Sequence, residues 1–161
     1  MADDVPGFAL PLLLLQAFRA IVDDLHEELA RAGHPGVRPV HGFALQAIRP
    51  QGATAAELGR RLGVSKQAAA KTIDALERLG YAVRRGDPAD GRRKLVCVTP
   101  RGVDLLELSA RLLDRIRGDW AARLGQERAT RLERDLATLA ERDGAAHALR
   151  VDAPGWFGHH E

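Results

Sequence analysis

Charge is unevenly distributed along this 161-residue chain, and its concentration in the middle is the first sign of chemistry. Residues 51–102 hold 11 Lys and Arg against 5 Asp and Glu, whereas the remainder holds 13 basic and 17 acidic residues. All the lysines, Lys66, Lys71 and Lys94, fall inside the basic stretch. A basic centre on an acidic scaffold suits binding of a polyanion. Charge alone leaves open an uneven, arginine-rich surface that binds nothing.

Two clusters sharpen the polyanion reading. In the first, Ser65 stands before Lys66, Gln67, Ala70 and Lys71. On a helix these present small, uncharged or cationic groups outward, while Ala69, Ile73, Leu76 and Leu79 share the opposite side. Lys and Gln can meet base edges in a major groove, and a small Ala can lie against a thymine methyl. Ser65 and the helix N-terminus it caps can hold a backbone phosphate. Arg60 and Arg61, just upstream, are candidates for further phosphates. The second cluster is Arg84, Arg85, Arg92, Arg93 and Lys94, on or beside a turn. Exposed arginines gain little from surface ion pairs, but a narrow minor groove attracts them. Asp90 precedes Arg92 by two residues and can brace its guanidinium by a charge-assisted hydrogen bond. An ordinary amphipathic surface helix and a solvated charged loop are the competing readings of the two clusters.

Other chemistries lack their motifs. There is no Gly-x-Ser-x-Gly, no His-Glu-x-x-His and no phosphate-cradling glycine loop ending in Lys-Ser/Thr, so no catalytic residue is assigned and no enzyme is expected. No cofactor and no metal site are expected either, since His159, His160 and Glu161 sit in a tail read as loose. The single cysteine, Cys97, excludes an internal disulfide, fits a reducing, cytoplasmic setting, and reads as a small buried hydrophobe.

The elements that must position these residues can be read from caps and periodicity. Leu14, Phe18, Ile21, Leu25 and Leu29 recur at helical steps, giving a first helix over 8–32 that ends at Gly33. Its apolar start, 8–21, is too short to span a membrane and follows Asp3 and Asp4 without Lys or Arg. It is read as a buried helix, with a signal peptide as the alternative. A second helix covers 40–48. Thr54 and Glu57 have capping-box spacing and open a short third helix closed by Gly63. Ser65 then caps a fourth helix, 66–79, ended by Gly80, so two helices meet at a tight turn. Residues 81–85 and 94–98 read as strands around a polar turn-forming loop. Thr99 and Pro100 open a long helix carrying Val103, Leu106, Leu113, Ile116 and Trp120, and a last helix covers 126–142. The fold class is therefore mainly α with a small β-hairpin and a helix-turn-helix candidate.

In this order of elements the chain resembles the MarR family of regulators. The stretch Gly63-Val64-Ser65-Lys66-Gln67-Ala68-Ala69-Ala70-Lys71 is similar to the family's recognition helix, with Leu79-Gly80-Tyr81 as its exit. Asp87-Pro88-Ala89-Asp90-Gly91-Arg92-Arg93-Lys94-Leu95-Val96, followed by Val98-Thr99-Pro100-Arg101-Gly102, resembles its wing signature. The resemblance implies a winged helix-turn-helix with N- and C-terminal dimerisation helices, in a single domain over 1–161: dimerisation helices at 8–32 and 103–142, a DNA-binding lobe at 40–100 and a flexible tail at 143–161. It implies a homodimer on a pseudo-palindromic double-stranded DNA operator, a repressor's role, Arg92 in the minor groove with Asp90 as its brace, and no membrane partner. It also implies a small-molecule effector held by the first, second and fifth helices, for which His26, His41, Phe43 and Trp120 are weak candidates. The chain departs from redox-sensing members in lacking a cysteine in the first helix. A winged helix that binds protein instead of DNA is the alternative, and it would call for a neutral or acidic wing.

Overall fold

The computed structural model describes residues 6–140. Along them run α1 (Ala9–Arg31), α2 (Pro39–Ala47), α3 (Ala55–Leu62), α4 (Lys66–Arg78), β1 (Ala82–Gly86), β2 (Lys94–Val98), α5 (Pro100–Leu124) and α6 (Gln126–Ala140). The tail expected at 143–161, with His159, His160 and Glu161, and the expected end of the last helix at 141–142 lie outside the described residues.

Local hydrogen-bond chemistry sets the boundaries of the central elements. Thr54 Oγ1 accepts from the Glu57 amide at 3.2 Å while the Glu57 carboxylate accepts from the Thr54 amide at 2.7 Å, closing the capping box of α3. Shortly after α3 ends, Ser65 Oγ accepts from the Ala68 amide at 3.1 Å and starts α4. The turn between them needs a left-handed residue, and Gly63 supplies it with φ of 67°. At the far end of α4, Gly80 adopts φ of 76°, its amide reaching the Glu77 carbonyl and the Tyr81 amide reaching that of Leu76. This paired closure is a Schellman motif. Thr99 caps α5 by accepting from the Gly102 amide at 3.1 Å.

The strands pair antiparallel from Ala82 opposite Val98 to Gly86 opposite Lys94. Ala53 adds a single bridge to Val96, tying the segment before α3 to the hairpin. One core runs through the molecule. Leu25 and Leu29 of α1, Leu45 of α2, Leu58 of α3 and Ile73 and Leu76 of α4 are buried against Tyr81, Val96 and the Leu105, Leu112 and Ile116 stripe of α5.

The start of α1 corrects an expectation. Residues 9–21 are helical, but the run does not form a buried helix within the chain. Phe8 is 70% exposed and Leu12 and Leu13 more than half exposed, because α1 joins the core from Ile21 onward, where Leu25 and Leu29 are buried. Cys97, expected as a buried hydrophobe, is half-buried on β2.

Candidate nucleic-acid interface

Recognition of a duplex needs a helix whose outer face is free to enter a groove, and α4 has that form. Ala69, Ile73 and Leu76 are completely buried and anchor it. Lys66, Gln67 and Lys71 are exposed on the opposite side, with Ala70 half-buried between them. None of the Lys66, Gln67 or Lys71 side chains has a polar partner among the described residues. Ser65 sits at the N-terminus, its oxygen turned to the cap and its hydroxyl hydrogen still able to donate.

The hairpin loop beside α4 is internally braced. Asp87 Oδ1 accepts from the Ala89 amide at 2.9 Å, and the Arg93 amide donates to the Asp90 carbonyl at 2.9 Å. Asp90 Oδ1 accepts from the backbone amide of Arg92 at 3.0 Å, not from its guanidinium. The expected brace therefore acts one step removed: the carboxylate shapes the loop that carries Arg92 and leaves the guanidinium without a protein partner among the described residues. The Asx turn holds the carboxylate against the local backbone, and no ion pair joins it to the Arg92 guanidinium among the described residues.

Neighbouring arginines have different fates. Arg93 Nη2 lies 3.4 Å from Glu57 and Nη1 3.5 Å from Asp87, which fastens the hairpin loop to the first turn of α3. Arg84 pairs with Glu77 and, at 2.7 Å, with Asp74, fastening the base of the hairpin to α4. Arg61 donates to the Ala47 carbonyl at 2.7 Å and ties α3 to the end of α2, while Arg60 stays exposed. Arg61, expected to meet phosphate, is thus engaged inside the protein, because α2 ends with unsatisfied carbonyls beside α3. Arg60, Lys66, Arg84, Arg93 and Lys94 line one groove between α3, α4 and the hairpin. Glu57 sits at its edge. Hydrogen bonds from Thr54, with Arg93 and Arg61 adding to them, hold its carboxyl below the usual range.

A second concavity lies between α1, α2 and α5. His26 and Phe43 line it together with Phe18, Arg38, Leu105 and Ser109, among others. His41 and Trp120 do not: His41 is buried elsewhere, its Nδ1 accepting from the Arg38 amide at 3.2 Å, and Trp120 packs at the edge of the core. Burial pushes both His26 and His41 down; Asp23 opposes this at His26, while Arg38 and His26 add to it at His41. The cavity encloses about 90 Å³. Ordinary ligand pockets hold roughly 300–1,000 Å³, so this cavity is smaller than that class.

Sequence reasoning missed a buried polar group. His34 and Tyr81 are almost wholly enclosed, with His34 Nδ1 3.2 Å from the Tyr81 hydroxyl and Nε2 3.0 Å from Asp104 Oδ2. Arg101 lies over the Tyr81 ring, 5.1 Å from its centroid. His34 lies just past the end of α1, next to Pro35 and Gly36, and no spacing rule joins it to residues 47 and 70 positions away.

Residues 36–93 match the model of a family described as the MarR family. Among solved structures, YusO of Bacillus subtilis superposes with a TM-score of 0.66 at 21% identity, covering 87% of this chain and 98% of that one. CouR, known from Rhodococcus jostii RHA1, gives 0.66 at 25% identity over 86% and 94% in a complex with a 23-mer DNA duplex. MepR of S. aureus, also bound to DNA, gives 0.62 at 19% identity over 80% and 94%. No curated protein matches the chain in sequence. Residues 36–93 therefore carry the MarR-family sequence, and the described chain has the winged-helix fold of that family's transcriptional regulators.

Proposed function

We propose that this chain is a sequence-specific DNA-binding transcriptional regulator, acting as a homodimeric repressor on a pseudo-palindromic duplex. The observation that carries the proposal is the pairing of an unpartnered Arg92 on a braced, exposed hairpin with the free cationic face of α4. In this reading α4 enters the major groove, Gln67 and Lys71 meet base edges, and Arg92 enters the adjacent minor groove. Ser65, Lys66 and Arg60 would then meet phosphates, Arg93 would hold the hairpin to α3 in place of the phosphate contact expected of it, and the Asp90 turn would present Arg92. The DNA-bound forms of CouR, a transcriptional repressor, and MepR support the reading by their shared fold. CouR is also known bound to p-coumaroyl-CoA, which supports a small-molecule effector here. The α1–α2–α5 cavity is the place proposed for one, opened from its present size on binding.

The test is a pair of titrations, selected duplex and random duplex, at several salt concentrations. The duplex comes from selection on a random library by the wild-type chain. Wild type should bind the selected duplex far more tightly than the random one, both affinities falling steeply with salt. Gln67→Ala and Lys71→Ala should each cost about 1–3 kcal/mol on the selected duplex and little on the random one. Lys66→Ala should weaken both alike and flatten the salt slope by about one unit. A wild-type chain that enriches no sequence would overturn the reading.

A further inference from the structure

The end of α4 is held more firmly than helix termination requires. The Schellman closure at Gly80 already satisfies the turn. The carbonyls it leaves are nevertheless taken by the first turn of α5 and the residue before it. Thr99 Oγ1 donates to the Gly80 carbonyl at 2.6 Å, and Arg101 Nε donates to that of Leu79 at 3.3 Å. Arg101 also reaches back to the Gly33 carbonyl at 2.8 Å, at the end of α1. Beneath it, His34 joins the same three places. A carboxylate only accepts, so Nε2 carries a hydrogen toward Asp104 of α5, and in the neutral ring Nδ1 accepts from the hydroxyl of Tyr81 at the α4 exit.

These bonds tie the exit of α4 to the end of α1 and the first turn of α5, and join those two to each other, and α1 is the helix whose apolar start is unburied in one chain. The angle of α4 against the dimer frame is therefore set here. That angle fixes where the two recognition helices of a two-fold dimer stand relative to each other. A buried, polar, fully partnered group costs more to form than apolar packing and gives a single geometry in return.

We propose that His34, acting through Tyr81 and Asp104, is a positioning residue that sets the half-site spacing the dimer accepts. This rests on the DNA-binding reading above. One added base pair turns a half-site by about 34° around the duplex, so a rigid α4 rejects it and a loosened α4 follows it.

The experiment uses the full chain and the duplex selected by wild type, with versions carrying one base pair more or fewer at its centre. Wild type should prefer the selected spacing by about tenfold or more, as a misplaced contact typically costs. Tyr81→Phe keeps the ring and removes only the hydroxyl, and Asp104→Ala removes the acceptor from a mostly exposed position. Both should keep binding and folding while the preference falls to about twofold or less. His34→Leu should do the same, and His34→Gln, which can donate to Asp104 and accept from Tyr81, should restore the preference. Tyr81 is the only tyrosine, so one ring signal in the magnetic resonance spectrum of tyrosine-labelled protein reports its environment in wild type and in the Asp104 and His34 variants, and a melt reports the folding of Tyr81→Phe. Folded variants with wild-type spacing preference overturn the proposal. A wild type that selects no duplex overturns the DNA-binding reading and this proposal with it.

Discussion

Arg92 and Arg93 are adjacent and chemically identical, yet the structure gives them opposite duties. Arg93 is held by Glu57 and Asp87, while Arg92 points from a loop whose backbone amide Asp90 fixes. The proposed interface therefore predicts unequal losses. Arg92→Ala should weaken binding to the selected duplex by about 1–3 kcal/mol with no change in melting temperature. Asp90→Ala should give a smaller loss, because the guanidinium keeps its charge but not its loop. If Arg92→Ala titrates like wild type, the wing has been misassigned. The histidines give a second prediction at this scale. Burial lowers the folded-state values of His26 and His41 below the ordinary 6.5. Below 6.5 the unfolded chain binds protons that the folded chain resists. Their contribution is thus complete above that pH and declines as pH falls through 6.5 toward the folded-state values. Melting at stepped pH should show stability dropping from pH 7 to 5.5, with a shallower drop for His41→Gln.

At the scale of elements, α5 does two jobs: its first turns brace the hairpin and the exit of α4, and its middle packs on α1. The bracing depends on Gly102. A Cβ there would stand 2.3 Å from the Tyr81 carbonyl oxygen and 2.6 Å from Val98. The first of these contacts is with backbone, which cannot rotate away. Gly102→Ala should therefore destabilise the chain by about 1–3 kcal/mol or more, as overpacking does. At Gly118 on the same helix, a Cβ would meet nothing within 4 Å. Gly118→Ala should stabilise by about 0.5–1 kcal/mol through helix propensity alone. Two melts of opposite sign would show that contact, and not residue type, decides. Equal shifts would mean that α5 is not seated on the hairpin.

At the scale of the whole molecule, apolar surface is left over. Phe8, Leu10 and Leu12 to Leu15 at the start of α1 and Leu132, Leu136 and Leu139 on α6 are all exposed in one chain. Contiguous patches of this kind mark interfaces on soluble proteins. A second copy is the proposed cover, in keeping with the two-fold arrangement a palindromic site needs. Sedimentation at micromolar concentration should give a dimer whose melting temperature rises with concentration. The double variant Leu12→Glu with Leu15→Glu should shift it to monomer and weaken DNA binding. A wild-type chain that sediments as a stable monomer would refute the arrangement.

What could be read in the sequence was what neighbours along the chain decide. Thr54 with Glu57, Gly63 with Ser65, Gly80, and Thr99 with Pro100 set helix ends through contacts within a few residues, and the elements they bound are all present. The inward face of α4 followed from the 3.6-residue period for the same reason, whereas on α5 the buried stripe is Leu105, Leu112 and Ile116 and the expected Val103 is exposed, because its neighbours and not its period choose between two apolar rows. Tertiary structure decided which charged groups remain free. Arg61 meets Ala47, Arg84 meets Asp74 and Glu77, and Asp90 serves the Arg92 backbone, because each outcome depends on which element lies alongside. It separated His26 and Phe43, which share a cavity, from His41 and Trp120, which do not. It left the start of α1 exposed although its residue types call for burial, since apolar composition states a need for cover without naming the cover. The His34–Tyr81–Asp104 group lay beyond reach for the same physical reason. Hydrogen bonds between residues 47 and 70 positions apart are chosen by packing, and no local period encodes them.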